Sequence, residues 1–407
     1  MNANLLAATA LVCAAWPAAA QRYSQRGFFE TITTLYPQTA PGDSGHAVAE
    51  GLLRWEGAYQ AAPSLKLQAA FDARTDTHHQ VERIARLDWQ DRSRQRPALS
   101  LRRLSAVWHR GPVTVEAGKQ FIRWGKADIL NPTDRFAPRD YLNVANSDFL
   151  GVMAGRVTYE SGSNTVDLVV APRFTPSRTP LLNQRWVVFP ADNQFPLEDA
   201  GSRIPGRTQF GARWNHNSTG YEYSLVFYDG FHHLPLIDGR FQPPAIQLER
   251  YHPALRLYGG DVAVPLRWFT VKGEGAWFTS RTASTDEYIL YVIQLERTVG
   301  EWMFTGGYAG EVVTQKRNPF GFAPDRGMAR SFLGRAQCTI DARRSLAFEA
   351  AVRQTGEGVW LKSEYSHLMG KRWRVTAGFT LIRGEEADFL GQYNRNSFGL
   401  LALRYSF

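Results

Sequence analysis

The feature that most constrains the fold of this 407-residue chain is a two-residue alternation of apolar and polar side chains. In segment 373–381, Trp, Val, Ala, Phe and Leu take one set of alternate positions, and Arg, Thr, Gly and Thr take the other. Segments 346–353 and 334–341 repeat this pattern. Because successive side chains of a β-strand point to opposite faces, the periodicity predicts strands with one apolar and one polar face.

The alternation recurs in about eighteen segments, and most of them span about ten residues, the length of a tilted strand that crosses a bilayer. The chain is therefore predicted to be all-β. We place the starts of the segments near Gly27, Val48, Leu65, Leu99, Val113, Leu150, Asn164, Gln209, Tyr221, His252, Trp268, Tyr288, Trp302, Ser331, Leu346, Val359, Trp373 and Asn396.

The connections between these segments alternate in length. Short connections, such as 110–112 and 299–301, alternate along the chain with long ones, such as 123–148 and 173–208. Short periplasmic turns opposite long external loops are typical of bacterial outer-membrane barrels. A soluble β-propeller is the main competing fold, but its blades would show an internal repeat of about 40 to 50 residues. We find no such repeat in the sequence.

Charged residues occupy the polar face of nearly every segment. A charge that faces hydrocarbon costs several kcal/mol, so this face is expected to line a lumen. The predicted fold is a transmembrane antiparallel β-barrel of about eighteen strands, with sixteen as the alternative count. The residues predicted to line the lumen wall are Arg54, Glu56, Arg103, Glu116, Arg156, Arg213, Lys272, Glu274, Arg335, Arg353, Lys362 and Arg374.

Residues 1–20 read as a secretory signal peptide, with an apolar stretch followed by the small residues Ala18, Ala19 and Ala20. Residues 21–407 are then expected to form the barrel. A lipid anchor on Cys13 is the less favoured alternative, because the residues before it match the lipidation motif poorly. Cleavage would leave Cys338 as the single cysteine, which excludes an internal disulfide and a cysteine-based metal site.

The chain ends in an alternating strand with aromatic residues at Tyr405 and Phe407. This ending resembles the C-terminal sorting signal of outer-membrane barrels. The resemblance implies export to the bacterial outer membrane and recognition by the barrel-assembly machinery.

The third long connection carries a motif in which the alternation stops. Gly118, Gln120, Trp124 and Gly125 are followed by Asn131-Pro132 and Asp134. This stretch resembles a loop motif of poorly characterised proteobacterial porin-like barrels, and the chain is similar in layout to eighteen-strand alginate-export-type channels.

The resemblance to porins implies an external loop that folds inward and narrows the pore. An alternative is that Trp124, Asn131 and Asp134 only brace the loop against the wall. The residues predicted to form the constriction are Arg123, Trp124, Lys126, Asp128, Asn131, Asp134, Arg135 and Arg139.

A channel for passive or selective diffusion of small solutes is the favoured function. The formal net charge of +9 and the mixed lumen charge favour anions. A non-conducting barrel that serves as a scaffold or as an assembly or export partner is the alternative. The basic residues are dispersed rather than clustered, which argues against nucleic acid as a partner.

We expect no enzymatic activity, because a nucleophile with histidine and a carboxylate in reach is not evident and G-x-S-x-G does not occur. No cofactor or metal is expected. The expected partners are outer-membrane lipid, lipopolysaccharide and a small solute, and the sequence leaves the oligomeric state open.

Overall fold

Eighteen strands pair antiparallel in chain order, and the last strand pairs with the first, which closes the sheet into a barrel. This computed structural model describes residues 22–188, 195–318 and 326–407. The barrel strands are β1 Tyr23–Leu35, β2 Ala47–Ala62, β3 Leu65–Asp76, β4 Leu99–Arg110, β5 Val113–Gln120, β6 Val152–Ser161, β7 Asn164–Ala171, β8 Gln209–Ser218, β9 Tyr221–Phe231, β10 Ala254–Pro265, β11 Thr270–Thr279, β12 Glu287–Val299, β13 Trp302–Gln315, β14 Ser331–Thr339, β15 Arg344–Arg353, β16 Gly358–Met369, β17 Trp373–Gly384 and β18 Phe398–Ser406.

The predicted eighteen-strand antiparallel barrel is confirmed, and each strand begins within four residues of its predicted start. The prediction was wrong in detail at the last strand. Residues Gly391–Asn396, which include the predicted start, form a 3-10 helix instead.

Alternate positions along the strands separate an exposed apolar face from an inner polar face. On β2, for example, the exposed Leu53 is followed by Arg54, whose side chain is largely buried. Aromatic side chains ring the end of the barrel that carries the short turns; Trp108, Tyr159, Tyr221, Trp268 and Trp373 are all exposed there. Such a ring is typical of the boundary between lipid and water.

Nine loops lie at the opposite end of the barrel from eight short turns. We number these loops 1 to 9; they comprise residues 36–46, 77–98, 121–151, 172–208, 232–253, 280–286, 316–330, 354–357 and 385–397. Residues 189–194 of loop 4 and 319–325 of loop 7 lie outside the described part of the chain. The predicted alternation of short and long connections is therefore confirmed.

Loops 4 and 5 contain strands that the alternation did not predict. Leu236–Gln242 and Ala245–Tyr251 form a hairpin in loop 5, and Leu197–Arg203 of loop 4 pairs parallel to the second strand of that hairpin. This small sheet stands apart from the barrel sheet. Segments that pair only with each other above the wall have no membrane-facing side, so they lack the pattern that marks the barrel strands.

Loop segments fold into the barrel and supply it with a hydrophobic interior. In one cluster, the buried side chains of Ile122, Trp124 and Phe136 in loop 3 pack with two residues of the wall. These are Val169 on β7 and Leu257 on β10. Burial of these side chains stabilises loop 3 against the wall, since a fully buried large apolar side chain contributes about 1.5 to 3 kcal/mol.

The predicted signal peptide at residues 1–20, with Cys13, lies outside the described residues. Within the described ranges, no helix is long and apolar enough to span a membrane.

Candidate functional site

Loop 3 crosses the inside of the barrel and is held to the far wall by one carboxylate. Glu274 of β11 accepts hydrogen bonds from the backbone nitrogens of Lys126, Ala127 and Thr133 at 2.9–3.1 Å. The hydroxyl of Thr133 also donates to it, at 2.8 Å, and the Asn131 amide lies 3.5 Å away. Glu274 is 4% exposed, and these converging donors stabilise its carboxylate inside the barrel.

Gly125 is required for this arrangement on two grounds. Its φ of +93° lies in the left-handed region that other residues rarely adopt. In addition, a Cβ at this position would lie 2.6 Å from the nearer carboxylate oxygen of Glu274. A side chain at position 125 would therefore push the loop away from its anchor.

Two further contacts fix the same stretch of loop 3. The side chain of Asp128 pairs with Lys272 at 2.8 Å, and the Asp128 backbone nitrogen donates to the side chain of Gln294 at 3.0 Å. Lys126 forms an ion pair with Glu222 of β9. Lys272 and Glu274 were predicted as wall residues, and the structure shows that both contact loop 3.

Trp124 lies in the interior of the loop rather than on its free surface. Its side chain is 2% exposed and contacts Phe136 edge-on, with ring centroids 5.4 Å apart. Phe136 in turn contacts Tyr228 of β9. Of the two roles considered for Trp124, this burial fits bracing of the loop and not contact with a solute.

Two arginines of loop 3 lie over the same aromatic ring. The guanidinium groups of Arg123 and Arg139 lie 3.7 Å and 3.9 Å from the ring centroid of Phe149. Arg123 also pairs with Asp134 at 2.5 Å, while the Arg123 side chain remains 44% exposed. The cation–π contacts hold both guanidinium groups in place, and of the two only Arg123 also has an acidic partner.

Every acid of loop 3 has a basic partner within 4 Å, whereas two of its basic residues have no acidic one. Asp134 pairs with Arg123, and the other three acids pair with residues elsewhere: Asp128 with Lys272, Asp140 with Arg96 and Arg178, and Asp148 with Arg54 and Arg102. Among the described residues, Arg135 and Arg139 have no carboxylate within that distance. Loop 3 has four acids and four basic residues and therefore no net charge, but the charges of Arg135 and Arg139 are not paired locally.

The wall beside loop 3 carries three arginines that share two carboxylates. Arg54, Arg74 and Arg102 surround Asp72 and Asp148, with the closest nitrogen–oxygen distances at 2.7–2.8 Å. Burial would raise the pKa of Asp148, but the hydrogen bond and charge of Arg102 outweigh it and lower the pKa to about 2. Asp148 therefore stays ionised, and the three arginines outnumber the two carboxylates by one.

Arg102 was not among the predicted wall residues. Strand β4 contains a β-bulge opposite the step from Ala70 to Phe71, so Arg102 and Arg103 both contact acids inside the barrel. A bulge adds one residue and shifts the alternation, which is why strict parity assigned only Arg103 to this face.

The remaining predicted wall residues form a belt of local polar pairs. The pairs are Glu56 with Arg26, Arg103 with Glu116, Arg156 with Asp167, Arg213 with Asp261, Arg335 with Glu349, Arg353 with Asp388, Lys362 with Asn146 and Arg374 with Ser366. Lys362 thereby reaches loop 3, and Arg353 reaches loop 9. The belt links neighbouring strands, and two of its members also hold loops.

A buried ion network connects loops 2, 3 and 4. Asp140 accepts hydrogen bonds from Arg96 at 3.0 Å and from Arg178 at 3.2 Å, and Arg178 continues to Asp91 at 2.8 Å. Burial alone would raise the pKa of Asp140, but the charges of Arg96 and Arg178 outweigh it and hold the pKa well below its usual range. The charge of Arg178 is neutralised inside this network by Asp91 and Asp140.

Loop 4 reaches from β7 to the opposite side of the barrel. Arg185 stacks on Tyr36 at 3.7 Å and donates to the carbonyl of Gly45 in loop 1. The adjacent Trp186 is 1% exposed and packs against Tyr393 of loop 9 and Phe398 of β18. Loops 1, 4 and 9 thus contact one another at the long-loop end of the barrel.

The described part of the chain contains no group of three or more His, Cys, Asp or Glu side chains placed to hold a metal ion. The side chain of His78 contacts that of Asp43 at 2.7 Å. The C-terminal Phe407 exchanges two backbone hydrogen bonds with Gly27, and the tilted rings of Tyr405 and Trp373 pack with their centroids 5.0 Å apart. These contacts close the barrel at the short-turn end.

No protein-family model matches the sequence, and no curated protein matches it. The fold, in contrast, is similar to crystal structures of Pseudomonas aeruginosa OpdQ and Acinetobacter baumannii OccAB4. The TM-scores are 0.54 and 0.57, with 10% and 8% sequence identity, over 95% of this chain and 98% of each of those chains.

A third similar structure is a BenF-like porin from Pseudomonas fluorescens Pf-5. It has a TM-score of 0.54 and 10% identity, over 95% of this chain and 97% of that one. At such low identity the similarity concerns the fold. The chain thus shares the architecture of a closed β-barrel with proteins that include a porin.

Proposed function

We propose that the chain is an outer-membrane channel for the diffusion of small anionic solutes, in which loop 3 sets the narrowest part of the path. The observation that carries this proposal is the pair of uncompensated arginines, Arg135 and Arg139, on a loop held inside the barrel. Positive charge in a narrow aqueous path raises the local concentration of anions.

The outer-membrane location is supported by the outer face of the barrel, where exposed apolar residues alternate with inward polar ones and aromatic residues ring one end. Similarity in fold to a porin also supports a channel. By analogy with such barrels, the long loops would face outward and the short turns would face the periplasm.

The test is a recording of the full chain in a planar bilayer across a potassium chloride gradient. We expect stepwise conductance with a reversal potential that shows a preference for chloride. Replacing both arginines, as Arg135→Ala with Arg139→Ala, should lower the chloride-to-potassium permeability ratio roughly two- to five-fold. A unit charge interacts with an ion 4 Å away by about 1 kcal/mol in water.

The matched control is Arg343→Ala with Lys371→Ala, which removes two exposed charges from the short-turn end. This control should leave the permeability ratio near that of the wild type. An unchanged ratio in the Arg135 and Arg139 variant would contradict the anion proposal. A folded barrel without conductance would contradict the channel and favour the scaffold alternative.

A further inference from the structure

A groove crosses the outer face of strands β12 to β17, towards the end of the barrel with the short turns. Its floor consists of small residues that are register neighbours on adjacent strands: Gly306 pairs with Gly334, and Gly334 pairs with Ala350. Ala336 and Ser363 continue the floor two residues further along β14 and β16. Small side chains in adjacent register positions leave a continuous depression in the wall.

Large apolar side chains border this floor on both sides. Leu295 pairs with Gly306, and Leu361 pairs with Ala350, so one row of the groove has a leucine at each end. Phe304, Phe348 and Phe379 project beside the floor in the next row, and all three are exposed. The groove is open to the surroundings of the barrel and has a volume of about 770 Å³.

One end of the groove carries positive charge. Arg297 lines it directly, and Arg267 lies in the turn between β10 and β11. Both guanidinium groups approach the ring of Trp268, at 5.8 Å and 5.2 Å from its centroid, and Trp268 is 61% exposed. Among the described residues, neither arginine has a carboxylate within 4 Å. An anionic group at this position would meet two charges with no competing partner.

We propose that this groove binds an acyl chain of a glycerophospholipid whose headgroup is net negative, with the phosphate held by Arg267 and Arg297. An apolar groove that ends at two arginines and a tryptophan matches a ligand with a hydrocarbon tail and an anionic head. The inference rests on the proposed membrane location of the barrel but not on conduction. Since the short turns are placed on the periplasmic side, the lipid would belong to the periplasmic leaflet.

The shape of the groove favours a lipid over a second copy of this chain. A two-fold contact between equivalent faces would set one depression against another and leave a void. A flexible acyl chain can instead fill the depression, and each buried methylene contributes about 0.8 kcal/mol.

The test is native mass spectrometry of the purified full chain titrated with dioleoyl-phosphatidylglycerol. Gly334→Leu fills the middle of the floor, where a Cβ meets no atom within 4 Å, so the barrel itself is not strained. Gly155→Leu is the matched control. A Cβ at Gly155 on β6 would also meet no atom within 4 Å, and this exposed position lies on a distant part of the wall. Arg267→Gln with Arg297→Gln removes the charges and leaves the groove intact.

We expect the wild type and Gly155→Leu to retain one phosphatidylglycerol, and Gly334→Leu to bind it roughly ten-fold more weakly. The arginine variant should lose the preference for phosphatidylglycerol over phosphatidylethanolamine. If Gly334→Leu fails to give a heat-resistant folded barrel, the arginine variant still tests the site.

Equal lipid retention by the wild type and by either groove variant would overturn the inference. So would an oligomer that dissociates in Gly334→Leu while lipid binding stays unchanged, because the face would then bind another copy. All of these variants lie outside the lumen and should conduct as the wild type does. A failure of the lipid site can therefore be distinguished from a failure of the channel.

Discussion

The carboxylate of Glu274 on β11 lies 2.9 Å from the backbone nitrogen of Thr133 and 2.8 Å from the hydroxyl of the same residue. One residue of the wall thereby holds the far side of loop 3. Because this single carboxylate accepts four hydrogen bonds from loop 3, the contact should determine where the loop sits in the lumen.

Glu274→Ala should release loop 3 from the wall. It leaves the nitrogens of Lys126, Ala127 and Thr133 without their acceptor, and each buried donor left unpaired costs about 1 to 3 kcal/mol. We expect noisier single-channel current and faster cleavage of loop 3 by trypsin. Glu349→Ala, which removes a wall acid that pairs with Arg335, is the control and should behave as the wild type does. Identical noise and cleavage in the two variants would refute the anchoring role.

Gly125→Ala should displace the same stretch of loop 3, because it alters the loop residue that lies against Glu274. The substitution forces a side chain into a backbone with φ of +93° and against Glu274, at a cost of about 1 to 3 kcal/mol. Trypsin cleavage of loop 3 should again be faster. Gly155→Ala, in extended backbone with open space, serves as the control. A Gly125→Ala protein as resistant as that control would show that position 125 tolerates a side chain.

Asp140→Asn should loosen loops 2 and 4 while the barrel stays intact. The substitution leaves Arg96 and Arg178 buried without their shared charge, and breaking a buried pair in this way costs about 3 to 5 kcal/mol. Hydrogen–deuterium exchange of loop amides should therefore accelerate. Asp238→Asn, at an exposed ion pair with Arg240, is the control and should change exchange little.

The same network should resist acid in the wild type. The pKa of Asp140 is lowered in the folded protein by Arg96 and Arg178. The stabilisation is therefore complete above the usual aspartate pKa of about 4 and is lost only as the pH falls through the lower folded value. Corrected for intrinsic rates, exchange of loops 2 and 4 should stay constant from pH 7 to about pH 4. A loss of protection between pH 6 and pH 5 would contradict this account of the network.

Trp186→Ala should open the entrance from the long-loop end. Trp186 packs against Tyr393 and Phe398, and truncating a buried tryptophan costs about 3 to 5 kcal/mol. We expect loop 4 to detach and single-channel conductance to rise. Trp268→Ala, at an exposed tryptophan outside the lumen, is the control. If both variants conduct as the wild type does, loop 4 does not restrict the entrance.

The strands could be predicted because their signal is local. A strand between lipid and a polar lumen must alternate along its own length, and β4, β5 and β7 begin at the predicted residues. The prediction fails where the regular alternation of a strand is interrupted. The bulge in β4 turns Arg102 into the lumen against strict parity, and the 3-10 helix replaces the predicted start of β18.

The contacts of the site depend on residues far apart in sequence, which explains why they were not predicted. Glu274 was assigned to the wall by parity, but its hydrogen bond to Thr133 joins positions 141 residues apart. Trp124 was grouped with the charged residues of the loop because it adjoins them, although its side chain is buried against Phe136. Sequence periodicity indicates which face a residue occupies but not which loop packs on that face.

The most direct test of the central claim is chemical modification of loop 3 during a single-channel recording. Arg123→Cys in a background with Cys13→Ala and Cys338→Ala leaves a single thiol, at a half-exposed position of the loop. If loop 3 lies in the conduction path, a negatively charged methanethiosulfonate should lower the conductance in one step and reduce the preference for anions. Modification that mass spectrometry confirms as complete, with conductance and selectivity unchanged, would contradict the account.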